Sequence, residues 1–245
     1  MLLGGLSISN NLSSLAINNS TLFATSFNIA DVSGIQTWLK FNEGQTDDGD
    51  RITWADSSGQ GNPIDDASAG TNDRVEFTSG ALHLKQDVSG TGPEANFTTE
   101  MDLTGAFTIF LVLDVADDLN AETILQGSGT NFFRFSHGNN DSKFRFKFGG
   151  VSDSAPIAAT APSTGKALFR IERDGSNNVD FFEDNTSLGG GFPISAGGTF
   201  SIFRLGATAA TAIGAKFFEV VIFNELVSDA NIALIETDIK TRNSL

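Results

Sequence analysis

Phe107-Thr-Ile-Phe-Leu-Val-Leu-Asp-Val115 is the stretch that most narrows the folds open to this chain. It is nearly all apolar, so a strand made from it has to be covered on both faces, and it is expected at the centre of a sheet. Lys143-Phe-Arg-Phe-Lys-Phe148 carries the complementary pattern. Its strict alternation predicts a half-buried strand with Phe144, Phe146 and Phe148 inward and Lys143, Arg145 and Lys147 outward.

The rest of the chain from Gly34 onward reads as short strands punctuated by Gly, Asn and Asp, as in a sandwich. Ile35–Phe41 alternates. Arg74–Phe77 and Ala81–Leu84 flank Thr78-Ser-Gly80, a hairpin signal, and alternation turns His83 away from Leu82 and Leu84. Phe132–Phe135 leads through His137–Ser142 into the alternating strand, and Ala167–Glu172 and Val179–Phe182 form a hairpin around Asp174–Asn178. Only residues 228–240 have helical period, with Ser228 as N-cap and Asp229 in the first turn. The expected fold is all-β: a two-sheet antiparallel sandwich with one short C-terminal helix.

A length of 245 residues fits one such domain. With 40% hydrophobic residues the core needs no staple, and the absence of cysteine excludes disulfides, thiolate metal sites and a cysteine nucleophile. The formal charge of −15 repels phosphate backbones and anionic lipid, so neither nucleic acid nor membrane is an expected partner. It also keeps a chain with 22 Phe soluble.

Residues 1–30 contain no charged side chain, and apolar residues alternate there with Ser and Asn. The expected organisation is an uncharged N-terminal arm over 1–33 and a jelly-roll domain over 34–245. The arm reads as a floppy leader, as a strand laid on its own domain, or as a docking segment that adds to a neighbouring subunit's sheet edge. No signal-peptide pattern is legible at the start.

Six blocks, in order along the chain, resemble the laminin-G-like branch of the concanavalin A-like jelly rolls. They are Trp38-Leu-Lys-Phe-Asn-Glu-Gly44, Asp56-Ser-Ser-Gly-Gln-Gly-Asn62, Phe107-Thr-Ile-Phe110, the Arg173-Asp-Gly175 turn, Gly214–Asn224 and Ser228–Glu236. The resemblance implies a jelly roll over about residues 34–240. It also implies a calcium site in many relatives, built from the Asp-Ser-Ser-Gly loop and a carboxylate preceding Glu219. Here Phe218 stands at that position. Asp56, Asn62 and Glu219 remain the candidate metal ligands, and calcium, which takes six to eight oxygens, is expected to bind weakly or not at all. An Asp in such a loop is more often a turn former that accepts bonds from its own loop than a ligand.

Catalytic groups are not evident. Glu100-Met-Asp102 approaches the carboxylate strand motif of glucanases of this fold, but Thr104 and Gly105 stand where a third carboxylate would be. Asp47, Asp48 and Asp50 lack calcium-loop spacing and read as a turn. His83 and His137 belong to no nucleophile motif, and Gly189-Gly-Gly191 opens no phosphate loop. The expectation is no catalytic residue, no cofactor and no enzyme. For sugars, which favour Trp and Tyr platforms, the chain has no Tyr and two Trp. The resemblance places Trp38 in the core, which leaves Trp54 as the candidate glycan platform.

A displayed type of domain without an export signal leads to one functional expectation. The chain would be a non-enzymatic virion structural or decoration protein, of capsid, tail or fibre. It would be made in a host cytoplasm, carried to the virion surface, and attached to other virion proteins or to copies of itself through residues 1–33. The alternative is an extracellular carbohydrate-binding, lectin-like adhesion module that meets a cell-surface glycan.

Overall fold

The structure, a computed structural model, describes residues 26–66, 75–85, 93–115, 122–127, 131–136, 143–147, 157–158, 165–193, 198–206 and 215–245. Two antiparallel sheets face each other. Sheet I runs β15 (Thr186–Pro193), β14 (Asn178–Glu183), β13 (Gly165–Arg173), β8 (Phe107–Val115), β17 (Lys216–Phe223), β6 (Ala81–Leu84) and β5 (Val75–Thr78), and β1 (Ile35–Leu39) also pairs with β17. Sheet II runs β12 (Ile157–Ala158), β11 (Lys143–Lys147), β10 (Phe132–Ser136), β9 (Glu122–Gln126), β16 (Thr199–Gly206), β7 (Glu94–Thr104), β4 (Ile64–Asp66), β3 (Ile52–Trp54) and β2 (Gln45–Asp47). One α-helix stands among the described residues, α1 (Asp229–Asn243), near the C-terminus. It is too short to cross a membrane, and no other described helix is long and apolar enough to do so.

The expected central strand is central. β8 is flanked along its length by β13 and β17. Phe107, Ile109, Leu111 and Leu113 enter the core between the sheets, while Phe110 and Val112 face the other way and join Ile232, Ile235 and Ile239 of α1. Sheet I is thus covered on both faces at β8, which explains the nearly continuous apolar run of that strand. β1 and β6 lie in tandem along the other edge of β17, β6 opposite Lys216–Phe217 and β1 opposite Val220–Phe223.

β17 carries a bulge between Phe217 and Glu219. Phe217, Val220 and Ile222 point into the inter-sheet core, whereas Phe218, Val221 and Phe223 join the helix-side cluster. One extra residue resets the alternation, as a bulge does, and Glu219, paired opposite Val112, faces the helix.

Local signals behave as expected. The β5–β6 hairpin turns on Ser79 and Gly80, both left-handed at φ 54° and 77°. That is the two-residue turn matching strand twist, and a Cβ on Gly80 would stand 2.9 Å from the Phe41 ring. His83 points away from its buried leucine neighbours and pairs with Glu76 across the hairpin at 3.4 Å. Asp174 closes the β13–β14 turn by accepting the main-chain N–H groups of Ser176 and Asn178, each at 2.8 Å. Ser228 Oγ accepts the Asn231 N–H as N-cap, and Lys240 and Arg242 occupy the last turn, where the helix dipole favours cations.

β11 pairs with β10 in the register Phe133 opposite Phe146 and Phe135 opposite Phe144. The inward placement of Phe144, Phe146 and Phe148, like His137 and the arm up to residue 25, lies outside the described residues. Phe27, Ile29, Ala30 and Val32, read above as the end of the arm, pack into the helix-side cluster, with Ile29 0% exposed.

Candidate functional site

Asp56 fastens its loop to β1. Its Oδ1 accepts the N–H groups of Trp38 at 2.9 Å and Ser58 at 2.8 Å, and its Oδ2 that of Asn62 at 3.0 Å. Burial alone would raise this carboxyl, but the bonds from Ser58, Trp38 and Asn62 outweigh it and hold it below the usual carboxylate range. Asn62 completes the lock: its Nδ2 donates to the Gln36 carbonyl at 2.8 Å and its own carbonyl accepts the Thr37 hydroxyl at 2.9 Å. The turn-forming role is the one the structure displays.

Glu219 is 0% exposed and its oxygens are already taken. Oε1 accepts from Trp38 Nε1 at 2.8 Å and Arg242 Nη2 at 2.7 Å; Oε2 accepts from Asn243 Nδ2 at 2.6 Å and Arg242 Nε at 3.4 Å. Arg242 supplies the positive charge that the resemblance assigns to a metal. The implied calcium set is therefore corrected: Asp56 and Glu219 already accept from protein donors and the Asn62 side chain donates to the Gln36 carbonyl, so the three do not fit a cation. Among the described residues, no group of three or more His, Asp or Glu is placed to hold a metal. Lys166 extends the node, donating to the Asn243 carbonyl at 2.6 Å from above the rings of Phe41 and Phe218. Burial pulls its ammonium below the usual lysine range, with Glu219 partly opposing.

Trp54 is corrected as well. It is 0% exposed in the inter-sheet core, packs edge-on to Phe77, and donates from Nε1 to the Lys40 carbonyl at 3.0 Å. No face is left for a sugar ring. The cue was present in Ile52-Thr-Trp54, whose alternation puts Trp54 on the same side as Ile52.

The outer face of sheet II carries a different arrangement. The strand registers place Asn96 of β7 opposite Arg204 of β16, Arg204 opposite Gln126 of β9, and Gln126 opposite Phe132 of β10. Each has a core neighbour in sequence (Ala95, Leu205, Leu125 and Phe133), so all four stand on the side away from the core. At the usual strand spacing the row is about 14 Å long. Asp66 Oδ2 accepts from Asn96 Nδ2 at 2.6 Å, Arg204 Nη1 donates to Glu94 at 2.5 Å, and the Arg134 guanidinium lies 3.9 Å over the Phe132 ring. Asn96 Oδ1 and Arg204 Nε, both shielded from water, have no hydrogen-bond partner among the described residues. Glu100 and Asp102 belong to the same strand, and Asp102 accepts from the Ser201 hydroxyl at 2.6 Å. No described helix covers this row.

No protein-family model matches the chain, and no curated relative does. Solved structures do. Trypanosoma rangeli sialidase is 13% identical, aligns with 94% of this chain and 38% of its own, and has a TM-score of 0.57. Botulinum neurotoxin type C, whose passage into cells depends on interaction with two ganglioside molecules, is 14% identical over 86% of this chain and 52% of its own, at 0.58. The binding domain of Paraclostridial Mosquitocidal Protein 1 is 13% identical over 85% and 52%, at 0.55. This chain therefore spans about a third to a half of those chains. Likeness at such identity concerns fold, and the fold it shares with them is the two-sheet antiparallel β-sandwich described above.

Proposed function

We propose that the chain is a carbohydrate-binding, lectin-like module that holds a glycan across the outer face of sheet II. The observation that carries this reading is the row Asn96–Arg204–Gln126–Phe132, which alternates amide, guanidinium, amide and aromatic ring. Sugar hydroxyls both donate and accept, so they match amides and guanidinium–carboxylate pairs. Each guanidinium is already balanced or stacked, and with a chain charge of −15 this favours neutral over sulfated glycans. The similar fold of a ganglioside-dependent toxin is compatible with the reading.

A glycan array followed by calorimetry on the best hit tests this. Wild type should bind a neutral oligosaccharide, and Arg204→Ala should weaken that binding about tenfold, or ~1.4 kcal/mol. Absence of any glycan ligand, or equal affinity of the variant, would sink the assignment. The virion role remains a sequence-based expectation to which the structural likenesses add no support.

A further inference from the structure

The row on sheet II does not stop at Phe132. The register sets Lys147 of β11 opposite Phe132, so the line Asn96–Arg204–Gln126–Phe132 runs on to Lys147 and lengthens from about 14 Å to about 19 Å. Two residues further along the same pair of strands, Arg145 stands opposite Arg134, and beyond it Lys143 stands opposite Ser136. Residues directly opposite one another in an antiparallel pair share a face. Positions 143, 145 and 147 therefore belong to the face of Phe132 and Arg134. Along β11 they follow one another at about 7 Å, and Arg145 is about 5 Å from Arg134 across the strands.

The β11 end of this face is thus a basic column in an acidic protein. Three of the chain's 15 Lys and Arg fall within the five residues of β11, against 30 Asp and Glu in the whole sequence. Neither β10 nor β11 contains an acidic residue. Glu122 of β9 is registered with Phe135, out of phase with Arg134, which instead meets Thr123 and donates from Nε to its hydroxyl at 2.8 Å. Like charges set directly opposite in a sheet destabilise it. An anion held between Arg134 and Arg145 converts that repulsion into attraction.

We propose that this end of the face takes one carboxylate-bearing sugar, such as a uronic acid, at the end of an otherwise neutral glycan lying along the row. The inference rests on the glycan reading above and names the class of glycan. The amides of Asn96 and Gln126, and Arg204 with its Glu94 partner, suit hydroxyl groups. The carboxylate falls to Arg145 and Lys147, since a guanidinium donates to two oxygens side by side and an ammonium adds a point charge. One negative charge answers the column with little added repulsion from a chain of charge −15, whereas a glycan sulfated at every sugar meets that field along its whole length.

A glycan array printed with matched pairs tests this, each neutral oligosaccharide beside the same chain capped by glucuronic acid. Among pairs that bind, the capped member is expected to bind about fivefold more tightly or better. That ratio should fall to near one in Arg145→Gln, and when Lys147→Gln is combined with it, while Arg145→Lys should keep part of it. On the wild type, raising salt to about 1 M, where the screening length is about 3 Å, should also shrink the ratio. This last readout does not depend on any variant folding. Equal or weaker binding of the capped members, or a ratio that neither salt nor the variants reduce, overturns the proposal and leaves a neutral-glycan site standing. Binding of no member of any pair removes both.

Discussion

The two outer faces of this sandwich are built on opposite principles. Sheet I turns Phe110, Val112, Leu168, Val221 and Phe223 outward and seals them under α1. In sheet II, β7 turns Glu94, Asn96, Glu100 and Asp102 outward and Ala95, Phe97, Met101 and Leu103 into the core. The difference is written in the strands: β8 is a continuous apolar run, and the two halves of β7 alternate. A sheet face that must receive a helix cannot also be polar, and a face left polar is free to meet hydroxylated ligands. Stability of the first face and recognition by the second should therefore separate under mutation.

The largest effect is expected at the buried node of the sealed face. Glu219→Ala leaves Trp38 Nε1, Asn243 Nδ2 and the Arg242 guanidinium without their acceptor. Removing one partner of a buried ion pair costs about 3–5 kcal/mol. Urea unfolding should show it as a lowered midpoint with unchanged slope. A loss below about 1 kcal/mol would mean that apolar packing alone holds α1 and that the node contributes little.

Arg204→Ala on the polar face should behave in the reverse way. Its pair with Glu94 is partly exposed, with side-chain exposures of 12% and 23%. Loss of that charged hydrogen bond is worth about 1 kcal/mol of stability, while glycan binding falls tenfold as argued above. If Arg204→Ala destabilised as much as Glu219→Ala, sheet II's outer face would be a structural surface as well, and the contrast would fail.

How much of this was legible beforehand depends on how local each feature is. The central place of β8, the N-cap at Ser228, the Ser79-Gly80 turn and the outward His83 are set within a few residues of themselves, and alternation or cap chemistry exposes them. The Glu219–Arg242 pair was not legible. It needs a bulge at Phe218 that resets the strand's alternation and a helix whose last turn returns to the same spot. Trp54 was misread because elimination replaced alternation as the argument. The row on sheet II joins residues 96, 126, 132 and 204, which only strand register brings together, and register is invisible in one sequence when the connecting loops are long.

The smallest expected effect lies where the two faces meet the chain's start, at Asp56. Its folded carboxyl titrates below the ordinary value, so it stabilises the fold above its unfolded pKa of about 3.9, and that contribution disappears as pH falls through the lower folded value. Asp56→Asn keeps an acceptor for Trp38 and Ser58 but loses the charge. The group is half-buried, so solvent screening reduces what the charge contributes, and the variant should lose about 1 kcal/mol at neutral pH. The gap between variant and wild type should then narrow as pH falls below about 3.9 and close only below the lower folded value, where both are uncharged at this position. Thermal unfolding followed across that range decides it. A gap of the same size at both ends would show that loop geometry, not carboxylate charge, makes Asp56 matter, and the Asp56 loop would join the sealed face as a purely steric device.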